Sequence, residues 1–216
     1  MEPAFPDAAD LLPLSFFDRD PRDVAPDLLG CRLISHKGGV PTGGIIVEAE
    51  AYLGSDDPGS HAATRGMTPR NAVMYGPPGH AYVYFTYGNH FMLNFVCESE
   101  GTAGGALIRA LQPVWGIATM TQRRSGRPLT ELASGPGKLT AALGVDLGDN
   151  ARPLNTRDLC VYGADAPVDS VGVSGRVGLM HGYEREYRFF VKDNPFVSRG
   201  RTGPLRPKQR NEGSPK

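Results

Sequence analysis

The chain has 216 residues, 40% of them hydrophobic, which is enough for one well-buried core and gives no reason to expect a second domain. Its formal net charge is zero at pH 7, so it lacks the overall basic excess typical of many nucleic-acid-binding proteins. No apolar run approaches the roughly 20 residues needed to cross a bilayer, and the N-terminus lacks the basic-then-apolar pattern of a secretion signal. We therefore expect a cytoplasmic protein with no membrane contact.

The charges are unevenly distributed along the chain. Residues 1–60 carry 4 basic and 11 acidic side chains, whereas the chain from Arg185 onward carries 9 basic and 3 acidic ones. A basic end of this kind either supplies phosphate contacts or forms a solvated tail. We predict a flexible N-terminus over residues 1–13, one folded domain over 14–197 and a basic, disordered tail over 198–216.

The first predicted elements are a helix and two strands. Asp20 followed by Pro21 is typical of a helix start, Gly30 of a helix end, and residues 31–35 have the composition of a strand. In a second strand, over residues 45–53, side chains alternate between two faces. One face is wholly apolar.

The other face of this second strand carries Ile46, Glu48, Glu50 and Tyr52. Two carboxylates and a phenol that project together form either a site or the solvated outer face of an ordinary strand. The segment by itself leaves both interpretations open.

A β-hairpin and two further helices are predicted next. Residues 80–87 and 90–97 are β-rich runs separated by Gly88-Asn89, which has the length and chemistry of a two-residue turn, so Tyr87 is expected near the hairpin tip. Helices are expected over 113–124 and over 136–143, the second one ended by Gly144.

Several kinds of chemistry are not indicated. The five histidines have no metal-site spacing such as His-Glu-x-x-His, and the three cysteines include no Cys-x-x-Cys pair, so we predict no metal or other cofactor and expect buried thiols. Residues 134–138 differ from a nucleotide-binding loop at both ends, although the helix start there, with Lys138, suits either a DNA phosphate or simple capping. There is no Gly-x-Ser-x-Gly elbow for acyl transfer. An acidic residue among aromatic ones remains, a combination that suits attack of an activated water on a planar substrate.

Motifs distributed over most of the chain resemble the alkyladenine (3-methyladenine) DNA glycosylases, a family first described in mammals and also found in bacteria. The matching residues are Phe16-Phe17-Asp18, Leu28-Leu29-Gly30, Val47 to Gly54, His61, Thr68-Pro69-Arg70-Asn71, Tyr82-Val83-Tyr84, Tyr87-Gly88, Asn94, Leu107-Ile108-Arg109-Ala110, Ser134-Gly135-Pro136, Lys138 and Arg176-Val177-Gly178. The resemblance implies an α+β fold: a single domain with a curved, mainly antiparallel β-sheet, peripheral helices and a protruding β-hairpin. It also implies a monomer that acts on double-stranded DNA containing a damaged purine, at the bacterial nucleoid.

The resemblance also assigns catalytic roles. Glu50 resembles the general base that deprotonates a water for attack on the sugar, and Arg109 resembles a second group that holds this water or the adjacent phosphate. The implied reaction is hydrolysis of the N-glycosidic bond of an alkylated or deaminated purine, which leaves an abasic site. No acid for a departing neutral base is evident. No amine nucleophile is evident either, so we expect a monofunctional enzyme.

Further residues resemble the family's DNA-binding set. Tyr52, His61 and Tyr84 are similar to the residues that sandwich the flipped base, and a cationic methylated purine would add a cation–π attraction to the tyrosine faces. Asn94 resembles the residue that excludes the exocyclic amine of guanine, and Tyr87 resembles the residue that fills the gap in the DNA. Arg70 and Lys138 are candidate phosphate contacts.

The sequence departs from the family pattern at the hairpin. Asn89 and His90 stand where vertebrate members have larger apolar and aromatic residues, which predicts a weaker wedge. Two alternatives remain at this point: a nucleic-acid-binding module without catalysis, and a metal-dependent hydrolase that acts through the histidines. Glu50 argues against the first, because a carboxylate in a phosphate-binding surface is unfavourable unless it performs chemistry. The preferred lesion among 3-methyladenine, 7-methylguanine, hypoxanthine and ethenoadenine depends on pocket dimensions.

Overall fold

The computed structural model describes residues 3–86, 88–200 and 202–203. These residues form eight strands: β1 (Arg32–Ser35), β2 (Thr42–Tyr52), β3 (Ala81–Thr86), β4 (His90–Val96), β5 (Gly105–Trp115), β6 (Leu159–Tyr162), β7 (Val171–Ser174) and β8 (Arg188–Val191). They also form four α-helices: α1 (Pro21–Asp27), α2 (His61–Arg65), α3 (Ile117–Arg123) and α4 (Pro136–Leu143). Short 3-10 turns connect several of them.

All eight strands belong to one sheet, and every described pairing in it is antiparallel. The order is β3-β4-β5-β2-β1-β6, and β8 pairs with both β2 and β7. The expected α+β single domain with a mainly antiparallel sheet and peripheral helices is therefore confirmed. The long strand β2 lies at its centre, with β5 on one side and, on the other, β1 beside its first half and β8 beside its second.

Helix ends agree with local signals in two places and differ in one. Asp20 caps α1 by accepting from the Arg22 backbone N–H, and α4 ends at Gly144, whose φ of 73° is left-handed. The prediction of a helix from residue 113 is wrong: Pro113 lies in β5, and α3 begins only after Gly116. A proline can occupy a strand position at an irregularity in pairing, and the ladder shifts beside its partner Gly44.

The hairpin formed by β3 and β4 is present, but its turn is longer than predicted. Thr86 pairs with His90, so three residues connect the strands where the sequence predicts two. Gly88 has a φ of 74°, a left-handed conformation that glycine adopts without strain. The turn end of the hairpin lies against α4, where a Cβ atom added to Gly137 would be 2.8 Å from the His90 ring.

Strand β2 does not alternate strictly between an apolar and a polar face. Val47 is an extra residue on β2 between the pairs Ile46–Leu111 and Glu48–Ala110, and Arg109 is an extra residue on β5 immediately afterwards. This double irregularity places Ile46 in the same core cluster as Ala49 and Ala51, although strict alternation assigns it to the other face. The polar face is not solvated either, because Glu48 and Glu50 are both 0% exposed.

The main core lies between the sheet and the helices α1 and α4, and includes Phe17, Leu28, Leu111 and Leu139. The three cysteines are buried free thiols, as predicted. A second, smaller cluster lies at the end of the hairpin that is away from its turn; its members are Ala62, Met74, Tyr82, Val96 and Ala103. This second cluster supports one wall of the cavity described next.

Candidate active site

One cavity is lined by most of the residues that the sequence predicts for the site. It has a volume of about 320 Å³ and lies between the end of β2, the start of α2, strands β3 to β5 and the segment 177–179. Its lining comprises Tyr52, Gly59, Ser60, His61, Met74, Tyr82, Tyr84, Thr86, Met92, Asn94, Leu107, Arg109, Val177, Gly178 and Leu179. A volume near 300 Å³ is at the small end of the range for small-molecule sites.

Aromatic rings form one wall of this cavity. The rings of His61 and Tyr84 meet edge to face with centroids 4.7 Å apart, and the Tyr82 and Tyr84 rings lie 5.3 Å apart. Tyr82 and Tyr84 share a face of β3 because they are two residues apart. His61 is brought to them by α2, whose start is fixed by the Ser60 hydroxyl accepting from the Ala62 backbone N–H.

His61 is held by a neighbour to which the sequence analysis gives no role. Its Nδ1 lies 3.2 Å from the hydroxyl of Tyr82, a side chain that is 1% exposed. Burial, together with the positive charges of Arg70 and Arg65, lowers the pKa of His61 below its ordinary value. The neutral form of the imidazole therefore predominates at pH 7.

Glu50 lies directly behind the cavity wall and does not line the cavity itself. Its Oε2 accepts hydrogen bonds from the Tyr52 hydroxyl at 2.8 Å and from Arg109 Nη1 at 3.3 Å, and its Oε1 accepts one from the Val177 backbone N–H at 2.7 Å. All three donor residues line the cavity. A carboxylate has about four acceptor positions, so the described contacts leave one available on Glu50.

Glu48, two residues earlier on β2, is bonded more fully. Its Oε1 accepts from Arg109 Nε at 2.8 Å, from Arg188 Nε at 2.7 Å and from the Ser198 hydroxyl at 2.9 Å, and its Oε2 accepts from the Ser198 backbone N–H at 2.7 Å. Burial alone would raise the pKa of Glu48, but the two guanidinium groups hold it below its usual value.

A second buried ion pair supports Tyr52 from outside the cavity lining. Arg176 is fully buried and binds Asp57 through two contacts of 2.5 Å, and its guanidinium lies 4.6 Å from the centre of the Tyr52 ring. Burial and the neighbouring Glu50 charge raise the pKa of Tyr52 well above its ordinary value, so its hydroxyl keeps the proton that it donates to Glu50.

The structure brings together five of the predicted site residues in the cavity: Tyr52, His61, Tyr84, Asn94 and Arg109. Glu50 is one hydrogen bond away from it. The side-chain amide of Asn94 donates to the Tyr82 backbone carbonyl, which fixes the orientation of Asn94 across the β3–β4 pair.

The predicted phosphate contacts lie outside the cavity lining. Arg70 is exposed; it donates to the Phe85 carbonyl and lies 5.5 Å from the centre of the Tyr84 ring. Lys138 is half-buried in the first turn of α4, next to Gly137, which packs against His90 at the turn end of the hairpin. Tyr87, for which the sequence predicts intercalation into DNA, lies outside the described residues, as do Arg201 and residues 204–216 of the predicted basic tail.

Four residues of the site received no individual role from the sequence: Glu48, Tyr82, Arg176 and Val177. The position of Glu48 on the polar face of β2, next to Glu50, was the signal available for it. Arg188 belongs to the basic segment assigned to phosphate or solvent, but it is buried against Glu48, so that assignment is wrong for this residue. Ser198, at the predicted start of the tail, also binds Glu48.

Among residues 3–86, 88–200 and 202–203, no cluster of three or more histidine, cysteine or acidic side chains is arranged to hold a metal ion. No helix in the described part of the chain is long and apolar enough to span a membrane.

Comparison with known proteins gives consistent matches. The sequence model of a family described as methylpurine-DNA glycosylase matches residues 15–195. A relative from Koribacter versatilis is 45% identical over 87% of this chain and 92% of its own, and one from Carboxydothermus hydrogenoformans is 46% identical over 88% and 99%. One from Bradyrhizobium diazoefficiens is 45% identical over 86% and 89%. Each carries the name "Putative 3-methyladenine DNA glycosylase".

Proposed function

The chain belongs to the methylpurine-DNA glycosylase family and is a monofunctional DNA glycosylase of base-excision repair, and we propose a specific reaction for its cavity. The protein binds double-stranded DNA, flips an alkylated or deaminated purine into the cavity and hydrolyses the N-glycosidic bond with a water activated by Glu50. An abasic site remains. Its substrates are 3-methyladenine, 7-methylguanine, hypoxanthine and ethenoadenine, and it acts as a monomer at the nucleoid in the cytoplasm.

The observation that carries this proposal is the difference between the two carboxylates of β2. Each carboxylate has one oxygen with a single described donor, Oε2 of Glu48 and Oε1 of Glu50. The three donors of Glu50 all line the cavity, whereas Arg188 and Ser198, which bind Glu48, do not. A general base must accept a proton from a water within hydrogen-bond reach. Because the groups that surround Glu50 line the cavity, we assign the role of base to Glu50 and expect Arg109 to hold the same water.

The aromatic wall suits a flipped purine. Stacking on Tyr52, Tyr84 and His61 contributes roughly 1 to 3 kcal/mol per base. A cationic methylated purine gains further cation–π attraction, but Arg176 already lies over the Tyr52 ring and Arg70 over the Tyr84 ring. We therefore place this gain near the lower end of its usual range, at about 0.5 kcal/mol.

Other residues select the base and hold the DNA. Asn94 is held rigidly in the cavity by its bond to the Tyr82 carbonyl, which suits rejection of guanine by its exocyclic amine. Tyr87 fills the gap that the flipped nucleotide leaves. Arg70 and Lys138 bind phosphates of the DNA backbone.

The test compares the wild-type protein with Glu50→Gln on duplexes that carry one hypoxanthine or one ethenoadenine, in the presence of a chelator, followed by hot alkali. We expect alkali-dependent cleavage by the wild type and a loss of about 10²- to 10⁴-fold in the variant, with duplex binding retained. Glu131→Gln, an exposed carboxylate outside the cavity, is the matched control.

Other outcomes separate the alternatives. Activity lost on chelation would indicate a metal-dependent hydrolase. A protein that binds DNA, cleaves neither duplex and releases no methylated bases from alkylated DNA would be a binding module without catalysis. Borohydride trapping of a covalent enzyme–DNA adduct would contradict the monofunctional mechanism.

A further inference from the structure

We propose that Glu48 is a positioning residue for excision: it holds the guanidinium of Arg109 and so keeps the last acceptor position of Glu50 available for water. The inference rests on the proposed function, because it gives Glu48 a role only in the reaction assigned to Glu50. Glu48 itself does not line the cavity and touches no substrate.

The direction of Arg109 is not determined by strand pairing. Arg109 is the extra residue on β5 between the pairs Glu48–Ala110 and Ala49–Ile108, so it has no partner of its own in the ladder. Irregularities of this kind redirect a side chain. The orientation of the guanidinium must therefore come from side-chain contacts.

Those contacts are unequal. The Nε of Arg109 lies 2.8 Å from Glu48 Oε1, whereas its Nη1 lies 3.3 Å from Glu50 Oε2. The short hydrogen bond thus goes to the residue behind the site, and the long one goes to the base. Arg109 is held near Glu50 without pairing with it through two parallel hydrogen bonds, the arrangement in which arginine binds a carboxylate most strongly.

The buried charges explain why this arrangement persists. Two carboxylates, Glu48 and Glu50, face two guanidinium groups, Arg109 and Arg188, and both carboxylates are 0% exposed. If Glu48 loses its charge, Glu50 is the one carboxylate among the described residues that still pairs with Arg109. Arg109 would then keep one counter-charge, Glu50 at 3.3 Å, and the Ser198 hydroxyl at 3.4 Å. A buried guanidinium that loses one of two counter-charges is costly, so it moves onto Glu50 and takes the acceptor position that the water needs.

The experiment measures single-turnover excision of hypoxanthine from a duplex by Glu48→Gln, together with affinity for the same duplex and thermal stability. We expect the rate to fall by about 10²-fold, the loss typical of small misplacements in an active site, with the affinity unchanged. Asp149→Asn is the matched control: it removes a buried carboxylate from ion pairs with Lys37 and Arg152 outside the cavity. It should lower the melting temperature and leave the rate unchanged.

A double-mutant cycle tests whether Glu48 acts through Arg109. In an Arg109→Gln background, Glu48→Gln should cause no further loss of rate, because the group that it positions is absent. Multiplicative losses would overturn the proposal, as would a folded Glu48→Gln protein with the wild-type rate. If Glu48→Gln does not fold, Glu48→Asp replaces it in the test. This variant keeps the charge but shortens the side chain by one methylene, and it must show the same selective loss of rate.

Failure of the proposed function is a separate outcome. A wild-type protein that excises no lesion would refute the proposed function and, with it, the roles of both Glu50 and Glu48. An active wild type with an equally active Glu48→Gln variant would refute only the positioning role of Glu48.

Discussion

Asp57 is the residue whose replacement tests the packing behind the site most directly. Its carboxylate binds the fully buried Arg176 through both oxygens, and it also accepts from the backbone N–H groups of Leu53 and Gly59. In Asp57→Asn an amide replaces the anion, so one Arg176 nitrogen faces another hydrogen-bond donor and the guanidinium keeps its charge without a counter-ion.

Removal of one partner from a buried ion pair costs about 3 to 5 kcal/mol. The remaining acceptors of Arg176 are the carbonyls of Ala51 and Gly182, at 2.9 and 3.0 Å. They reduce the loss but supply no negative charge. For a chain of this length the loss corresponds to a fall in melting temperature of roughly 6 to 20 °C.

The assay is thermal unfolding of Asp57→Asn and wild type between pH 3 and pH 7. Burial alone would raise the pKa of Asp57, but its bonds to Arg176 hold it below its ordinary value. A carboxyl with a lowered folded-state pKa stabilises the protein fully above its unfolded-state pKa, and this contribution is lost as the pH falls through the folded-state pKa. The difference between the two proteins should therefore be greatest near neutral pH and shrink below about pH 4.

The control for this prediction is Asp165→Asn, which removes an ion pair between Arg32 and a carboxylate that is 82% exposed. It should cost less than about 1 kcal/mol. Equal losses in the two variants, or a loss in Asp57→Asn that does not change with pH, would refute the argument from a buried charge.

Three further outcomes are expected. Tyr82→Phe should change the tautomer of His61, because we expect the Tyr82 hydroxyl, whose pKa burial raises to about 12, to donate to Nδ1 and leave the hydrogen on Nε2. Nitrogen-15 NMR of the imidazole checks this tautomer, with Tyr162→Phe as control, and a hydrogen on Nδ1 in the wild type would contradict it. All three thiols have raised pKa values because they are buried, so alkylation should be slow in the native protein and fast in denaturant, as followed by mass spectrometry. Gly44→Ala should destabilise the protein strongly in chemical unfolding, because its Cβ would lie 2.1 Å from the Gln112 carbonyl oxygen; wild-type stability would show that β2 and β5 can separate there.

Local signals predict the elements that depend on neighbouring residues. Helix α4 begins and ends where Pro136 and Gly144 place it, and the hairpin lies where two β-rich runs flank Gly88-Asn89. The prediction of a helix at Pro113 fails because a proline's effect depends on whether its segment pairs with another strand, and composition does not show that pairing.

The candidate site likewise has features that the local sequence predicts and features that it does not. The period of two places Glu48, Glu50 and Tyr52 on one face of β2, and Tyr82 with Tyr84 on one face of β3, so the sequence by itself determines which side chains can act together. The resemblance to a family adds roles for them, and five of the selected residues lie in one cavity.

Only the tertiary structure decides how the two carboxylates differ. Glu48 is bound by Arg188 of β8 and by Ser198, 140 and 150 residues away in the sequence and outside the cavity lining, whereas the three donors of Glu50 all line the cavity. The double irregularity at Val47 and Arg109 likewise arises from the pairing of β2 with β5. Two glutamates with the same period and almost the same local sequence acquire different surroundings because distant segments decide which donors bind each of them, and a local pattern holds no information about which segments those are.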